Sequence, residues 1–121
     1  GGMSIGTLLS CVIRARKVPN LCAANQMLQG YLAMRGANCR NCDKYFHCQA
    51  NYNAVAQCGR SQSARQTAEI ISDCREIAQG GGPDSDLDQE ANRFGRNLGN
   101  CADRYLSRVG CAYNPSTRRC G

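Results

Sequence analysis

The side chains best equipped for chemistry in this chain of 121 residues are its cysteines and its single histidine. Cys39 and Cys42 are separated by two residues, with His47 and Cys48 close behind. Thiolates and an imidazole at such spacing are how a tetrahedral zinc site begins. The second C-x2-C or H-x3-H pair that would close the tetrahedron is missing. The same pair has redox-motif spacing but lacks the βαβ context of a thioredoxin-like site. No metal and no cofactor are therefore expected. His47 is the candidate catalytic residue, a general base if the chain hydrolyses anything. Glu69, Asp73 and Glu76 fall at i, i+4 and i+7, and paired carboxylates do acid and base work. With Asp73, Arg75, Asn92, Arg93 and Arg96 so near in sequence, a structural polar network between helices (Asp73, Arg75, Asn92, Arg96) is the better reading.

The full cysteine set is Cys11, Cys22, Cys39, Cys42, Cys48, Cys58, Cys74, Cys101, Cys111 and Cys120. An even number spread from end to end of a short chain predicts a disulfide framework, and hence a secreted or extracytoplasmic protein. Sequence does not give the pairing; a local Cys111 to Cys120 loop, closed by a turn at Asn114-Pro115-Ser116, is the simplest bridge to draw. With no Trp and two Phe, the core has to come from Leu, Ile, Ala, Tyr and cysteine. One domain over residues 1–121 is expected.

The net charge of +6 is concentrated at the two ends. Residues 1–42 hold five basic side chains and no acid, residues 43–99 six basic against eight acidic, and residues 100–121 four arginines against Asp103. Ile5, Leu8, Leu9 and Val12 form an apolar helical face that runs into Arg14, Arg16 and Lys17, a pattern suited to an anionic membrane, a lipid surface or a partner helix. Nucleic acid is not an expected partner, because no reading motif and no basic stripe interleaved with aromatics is present. No run of ~18 apolar residues is long enough to span a bilayer, and no signal peptide is legible. The segment reads as the mature or excised part of a longer secreted chain.

Helical spacing recurs throughout, and no hairpin signal accompanies it. A first helix ends at Pro19. A second starts near Asn20 and presents Leu21, Ala24, Leu28, Tyr31 and Leu32 up to Gly36. A third, capped by Asp43, lines up Tyr45, Cys48, Tyr52, Val55 and Ala56 before Gly59. A fourth covers about 63–79 with Ala64, Ala68, Ile71, Cys74 and Ala78. Gly80-Gly81-Gly82-Pro83 breaks the chain, and a fifth helix follows from Asp84 or Ser85 with Leu87, Ala91, Phe94 and Leu98 inward.

Across these helices the chain resembles the serum amyloid A family. The stretch from Met27 to His47, MLQGYLAMRGANCRNCDKYFH, follows the family's M-x3-Y-x2-MR-x-AN-x4-DKYFH without a gap. Asn51-Tyr52 with Ala54, then AEIISDCRE from Ala68 to Glu76, continue it. Asp84-Ser85 and DQEANRFGR from Asp88 to Arg96 follow D-S-x2-DQ-x-AN-x2-GR. The resemblance implies an all-α four-helix bundle over residues 27–99, here with an extra N-terminal helix, disulfide staples and a cysteine-containing tail at 100–121. It also implies a non-enzymatic role, since animal members bind lipid particles and small apolar ligands. Those members are essentially free of cysteine, and their apolar N-terminal helix and Pro-rich tail are replaced here by basic, cysteine-bearing ends.

The cysteine-rich form of the pattern, KYxHC followed by ANxxGR, also resembles C-terminal regions of bacterial Rhs-type polymorphic toxins. On that resemblance the expected function is a toxin-like effector domain acting on a membrane or cell envelope, with an immunity protein as partner. The alternatives are a secreted lipid or apolar-ligand binder like animal serum amyloid A, and a hydrolase or nuclease centred on His47.

Overall fold

A computed structural model describes residues 5–15 and 19–121, with only the backbone of Ile5. The chain folds as α1 (Ile5–Arg14), α2 (Leu21–Ala37), α3 (Asp43–Ala56), α4 (Gln62–Ala78), α5 (Pro83–Arg96) and a short α6 (Cys101–Tyr105). A 3-10 turn at Ser107–Val109 leads to two strands, β1 (Tyr113–Asn114) and β2 (Arg119–Cys120). The all-α bundle read from the sequence is the fold.

Local chemistry sets most helix ends. The Asn20 side chain accepts from the Ala23 amide and so caps α2, and its Nδ2 reaches Ser63 Oγ at 2.9 Å, tying this end to α4. Ser61 caps α4 through the Ala64 amide, and Asn100 caps α6 through Asp103. Asp43 is the first helical residue of α3 rather than its cap; its carboxylate still favours the positive end of the helix dipole. Gly80, Gly81 and Gly82 all have positive φ, at 93°, 72° and 107°. Only glycine takes three such conformations in succession without strain. They fold α5 back on α4, and Pro83 opens the new helix with its φ already set.

α3 is the central helix, packed by α2, α4, α5 and α6, while α1 lies on α4. One cluster of the core joins Tyr45, Phe46, Ala91, Tyr105 and four cysteines; the other is Ala23, Met27, Ala50, Ala54, Ala64 and Ala68. Small residues let α2 and α3 approach closely. A Cβ on Gly30 would overlap that of Ala50. Of the core expected from Leu, Ile, Ala, Tyr and cysteine, the Leu and Ile part is corrected: no described Leu or Ile is fully buried. Alanine at the crossings brings the helix axes too close to admit them, so five of the leucines and two of the isoleucines are exposed.

All ten cysteines are paired: Cys11 with Cys74, Cys22 with Cys58, Cys39 with Cys120, Cys42 with Cys111 and Cys48 with Cys101. The local Cys111 to Cys120 loop is thus corrected, and Cys39 and Cys42 have no thiolate for a zinc or redox site. The tail crosses back over the α2–α3 connection, which brings the partners together from 81 and 69 residues away. Each staple closes a loop long enough to be worth about 4 kcal/mol, taken singly, by restricting the unfolded chain. Five such bonds belong to a chain matured outside the reducing cytosol.

The paired strands correct the reading of a chain without hairpins. Asn114 Oδ1 accepts from the Ser116 amide and its carbonyl accepts from the Arg118 amide, so an Asx turn, not an Asn-Gly signal, closes the loop.

Candidate functional site

The buried polar side chains are gathered where α3, α4 and α5 meet. They form two groups, one sealed and one opening on a cleft.

The sealed group centres on Asn51, fully buried on α3. Its Nδ2 donates to the His47 carbonyl at 2.8 Å and to Asn92 Oδ1 at 3.0 Å. Its Oδ1 accepts from Arg96 Nη1 at 2.9 Å and Ser72 Oγ at 3.1 Å. All four hydrogen-bonding positions of the carboxamide are used. Asn92 Nδ2 continues to Gln89 Oε1, and Gln89 Nε2 to Asp73 Oδ1 at the surface. Asp73, Asn92 and Arg96 therefore sit in one network, joined by Asn51 and Gln89, which the sequence reading did not single out. Burial lowers the Arg96 pKa, with Glu69 and Asp73 opposing.

Arg75 belongs to the other group. Its Nη1 donates to His47 Nε2 at 3.1 Å and lies 3.9 Å from Glu76 Oε2, and its guanidinium rests 4.5 Å from the centre of the Tyr31 ring. His47 Nε2 is also 3.5 Å from Asp88 Oδ2. Lys44 Nζ bonds Asp88 Oδ1 at 2.6 Å and Asp84 Oδ1 at 2.8 Å, and Ser85 Oγ donates to Glu76 Oε1 at 2.8 Å. The glycine turn makes the last contact, bringing residues nine apart face to face. A cleft of about 340 Å³ opens on this group between the end of α2, the start of α3, the end of α4 and the start of α5.

Burial pushes the His47 pKa down to about 4, with Asp88 opposing and Arg75 and Lys44 assisting. The ring is neutral and its Nε2 lone pair faces Arg75. A base that weak has little drive to take a proton near neutrality, and the nearby Ser85 hydroxyl is committed to Glu76. The cleft thus reaches His47 as a neutral, weakly basic imidazole. Burial, with the adjacent Asp88 charge, pushes the Glu76 carboxyl up to about 7 despite Ser85 and Arg75.

The two shifts act on stability in opposite directions. His47, depressed in the fold, costs stability as pH falls from about 6.5 to 4, because the unfolded imidazole binds a proton that the folded one does not. Glu76, raised in the fold, costs stability as pH rises from about 4.5 to 7. Glu76→Gln keeps an acceptor for Ser85 and removes the ionisation. Its stability advantage over the native chain is expected to grow from pH 4.5 to 7, to about 2 to 3 kcal/mol, and then level off. Urea unfolding of both proteins across that range checks this; a difference independent of pH would refute it.

The face assigned to a membrane or partner is partly spent inside the molecule. Leu8 and Val12 are half-buried, and Val12 and Ala15 line a crevice with Ile70 and Ile71 of α4. Leu9, Ile13 and Arg14 are exposed. Arg16, Lys17 and the Ile5 side chain lie outside the described residues. A second apolar stripe, on α2, faces out: Leu21, Leu28 and Leu32 are 78%, 53% and 51% exposed, and Leu87 of α5, expected inward, is exposed as well. Among the described residues no helix is long and apolar enough to cross a membrane.

A family model described as "Serum amyloid A protein" matches residues 17–111. Serum amyloid A protein of Notamacropus eugenii is 45% identical over 87 residues, covering 68% of this chain and 65% of its own length. Serum amyloid A-5 protein of Mesocricetus auratus is 44% identical over 86 residues, 68% of this chain and 80% of that protein. Serum amyloid A protein of Anas platyrhynchos is 44% identical over 84 residues, 65% and 63%. The chain thus spans about two thirds of the length of most of these relatives. These animal relatives overturn the likeness to Rhs-type toxins and, with it, the toxin-effector reading. The positions of KYxHC and ANxxGR are those of the bundle's own interior: Lys44 and His47 in the cleft group, Asn92 and Arg96 on Asn51, and Gly95 against α3. The motif records how this fold packs, and Cys48 is a staple within it.

Proposed function

The chain belongs to the serum amyloid A family, and from that premise we propose that it is an extracellular protein that binds lipid surfaces through the outward faces of α1 and α2. The observation that carries the reading is the placement of the leucines. α2 spends Leu21, Leu28 and Leu32 on one exposed stripe, α1 exposes Leu9 and Ile13, and the interior is built of alanine, cysteine, aromatic rings and Met27 instead. Exposed apolar rows of this kind mark an interaction site. Each of the two helices carries a single charged residue, Arg14 and Arg35, both in the last turn. Apolar rows ending in arginine, with no acid before Asp43, suit a surface with anionic headgroups.

Flotation with phosphatidylcholine vesicles, with and without phosphatidylglycerol, tests this. The native chain is expected to float with both, more with the anionic lipid. Leu21→Gln, Leu28→Gln and Leu32→Gln combined should lower partitioning by at least about tenfold, since each leucine buried from water contributes on the order of 1 to 2 kcal/mol. A native chain that stays with neither lipid, or a triple variant that floats as well as native, overturns the reading.

A further inference from the structure

We propose that His47, Glu76 and Asp88 form a binding site for one divalent transition-metal cation at the floor of the polar cleft. The three side chains come from α3, α4 and α5, are 2%, 4% and 3% exposed, and offer donor atoms that all lie within 4.8 Å of one another. One imidazole and two carboxylates suit zinc, cobalt or manganese. His47 Nε2 and Asp88 Oδ2, at 3.5 Å, already stand near the ~3.4 Å separation of two ligands in a tetrahedral site with ~2.1 Å bonds. Only Glu76 has to move in.

The surroundings hold each carboxylate by one oxygen and leave the other. Lys44 takes Asp88 Oδ1 and leaves Oδ2 beside the imidazole. Ser85 takes Glu76 Oε1, and Glu76 Oε2, buried at the cleft, has no hydrogen-bond partner. Partners that fix a ligand's second atom are what a metal site requires of its surroundings; both carboxylates have one, while His47 Nδ1 has no hydrogen-bond partner among the described residues. Although the chain is net positive, this cleft is lined by Asp43, Glu76, Asp84 and Asp88 with Arg75, and Lys44 pairs Asp84 and Asp88 from beside it, so carboxylates outnumber cations here. Arg75 Nη1 stands at the cation position, against His47 Nε2 and Glu76 Oε2. Its guanidinium also rests on Tyr31, a contact it can keep when Nη1 swings out, and the same Nη1 already lies 3.5 Å from Gln79 Oε1, an acceptor toward which it can turn. Arg75 is the counter-ion that a metal displaces. Three protein ligands leave a fourth position toward the cleft, for water or a small ligand.

The test is unusually clean because the chain has one histidine and no free cysteine. Zinc titration of the disulfide-intact protein by calorimetry should give one site per chain. In a long-range 1H–15N spectrum of the native protein the single imidazole should shift with it, without any variant. Cobalt should give visible d–d bands in the native protein that weaken by about tenfold or more in affinity in Asp88→Asn and His47→Gln. Arg75→Met, checked as folded by circular dichroism, should bind more tightly than native. Absence of one-to-one zinc binding by the native chain, an unmoved imidazole on saturation, or affinity unchanged in Asp88→Asn overturns the site.

Discussion

Asn51→Leu is expected to destabilise the protein by about 4 kcal/mol, although leucine keeps the γ-branched shape of asparagine. The variant leaves the Arg96 guanidinium, the Asn92 carboxamide, the Ser72 hydroxyl and the His47 carbonyl each short of a partner in the interior. Removing one side of a buried charged hydrogen bond costs about 3 to 5 kcal/mol, because the remaining charge is stranded away from water. Guanidinium unfolding of the disulfide-intact protein measures the loss. The double variant Asn51→Leu with Arg96→Met should recover a large part of it, since the stranded charge is then gone. A single variant within 1 kcal/mol of native, on the order of a surface substitution, would mean that Arg96 finds water or another acceptor without Asn51.

Gly95→Ala is expected to cost about 3 kcal/mol or more and to reduce the yield of correctly oxidised protein. A Cβ at this position would overlap the Cys48 carbonyl oxygen and stand 2.8 Å from its carbon and 3.1 Å from its Cα. The obstacle is backbone, which cannot turn aside as a side chain would, so α5 must lift from α3. Lifting α5 pulls Asn92 and Arg96 from Asn51 and strains the Cys48 to Cys101 connection. Gly36 provides the control. It lies in α2 with open space where a Cβ would stand, so Gly36→Ala should be neutral or stabilising by up to about 1 kcal/mol through helix propensity. Thermal unfolding of the pair checks both; equal effects would show that helix propensity, not the close approach to Cys48, governs Gly95.

How much of this was legible can be judged residue by residue. Asn20 caps α2, and Gly59 and the Gly80 to Gly82 run end helices, as local chemistry predicts; Ser61 and Asn100, not read as caps, also cap helices, and Pro83, expected only as a breaker, opens α5 in place of a cap at Asp84 or Ser85. Asn51 was the reverse case. It lies on the inward face of α3 between Cys48 and Tyr52, and a polar residue at an inward position was the one signal available. Its four partners come from His47 on the same helix, Ser72 on α4, and Asn92 and Arg96 on α5, up to 45 residues away. The outward turn of Leu21, Leu28 and Leu32 was missed because periodicity identifies an apolar face without saying whether a partner covers it.

From the sequence alone came the helical class, the extracytoplasmic disulfide state implied by ten cysteines, the family, and basic ends around an acidic middle. These are set by composition, local propensity and the order of residues along the chain. The tertiary structure decided which cysteines meet, that Arg75 faces His47 while Arg96 faces Asn51, that alanine rather than leucine fills the interior, and that three donors from three helices share one cleft. All of these depend on how closely the helices approach and at what rotation, quantities fixed by contacts between residues far apart in sequence.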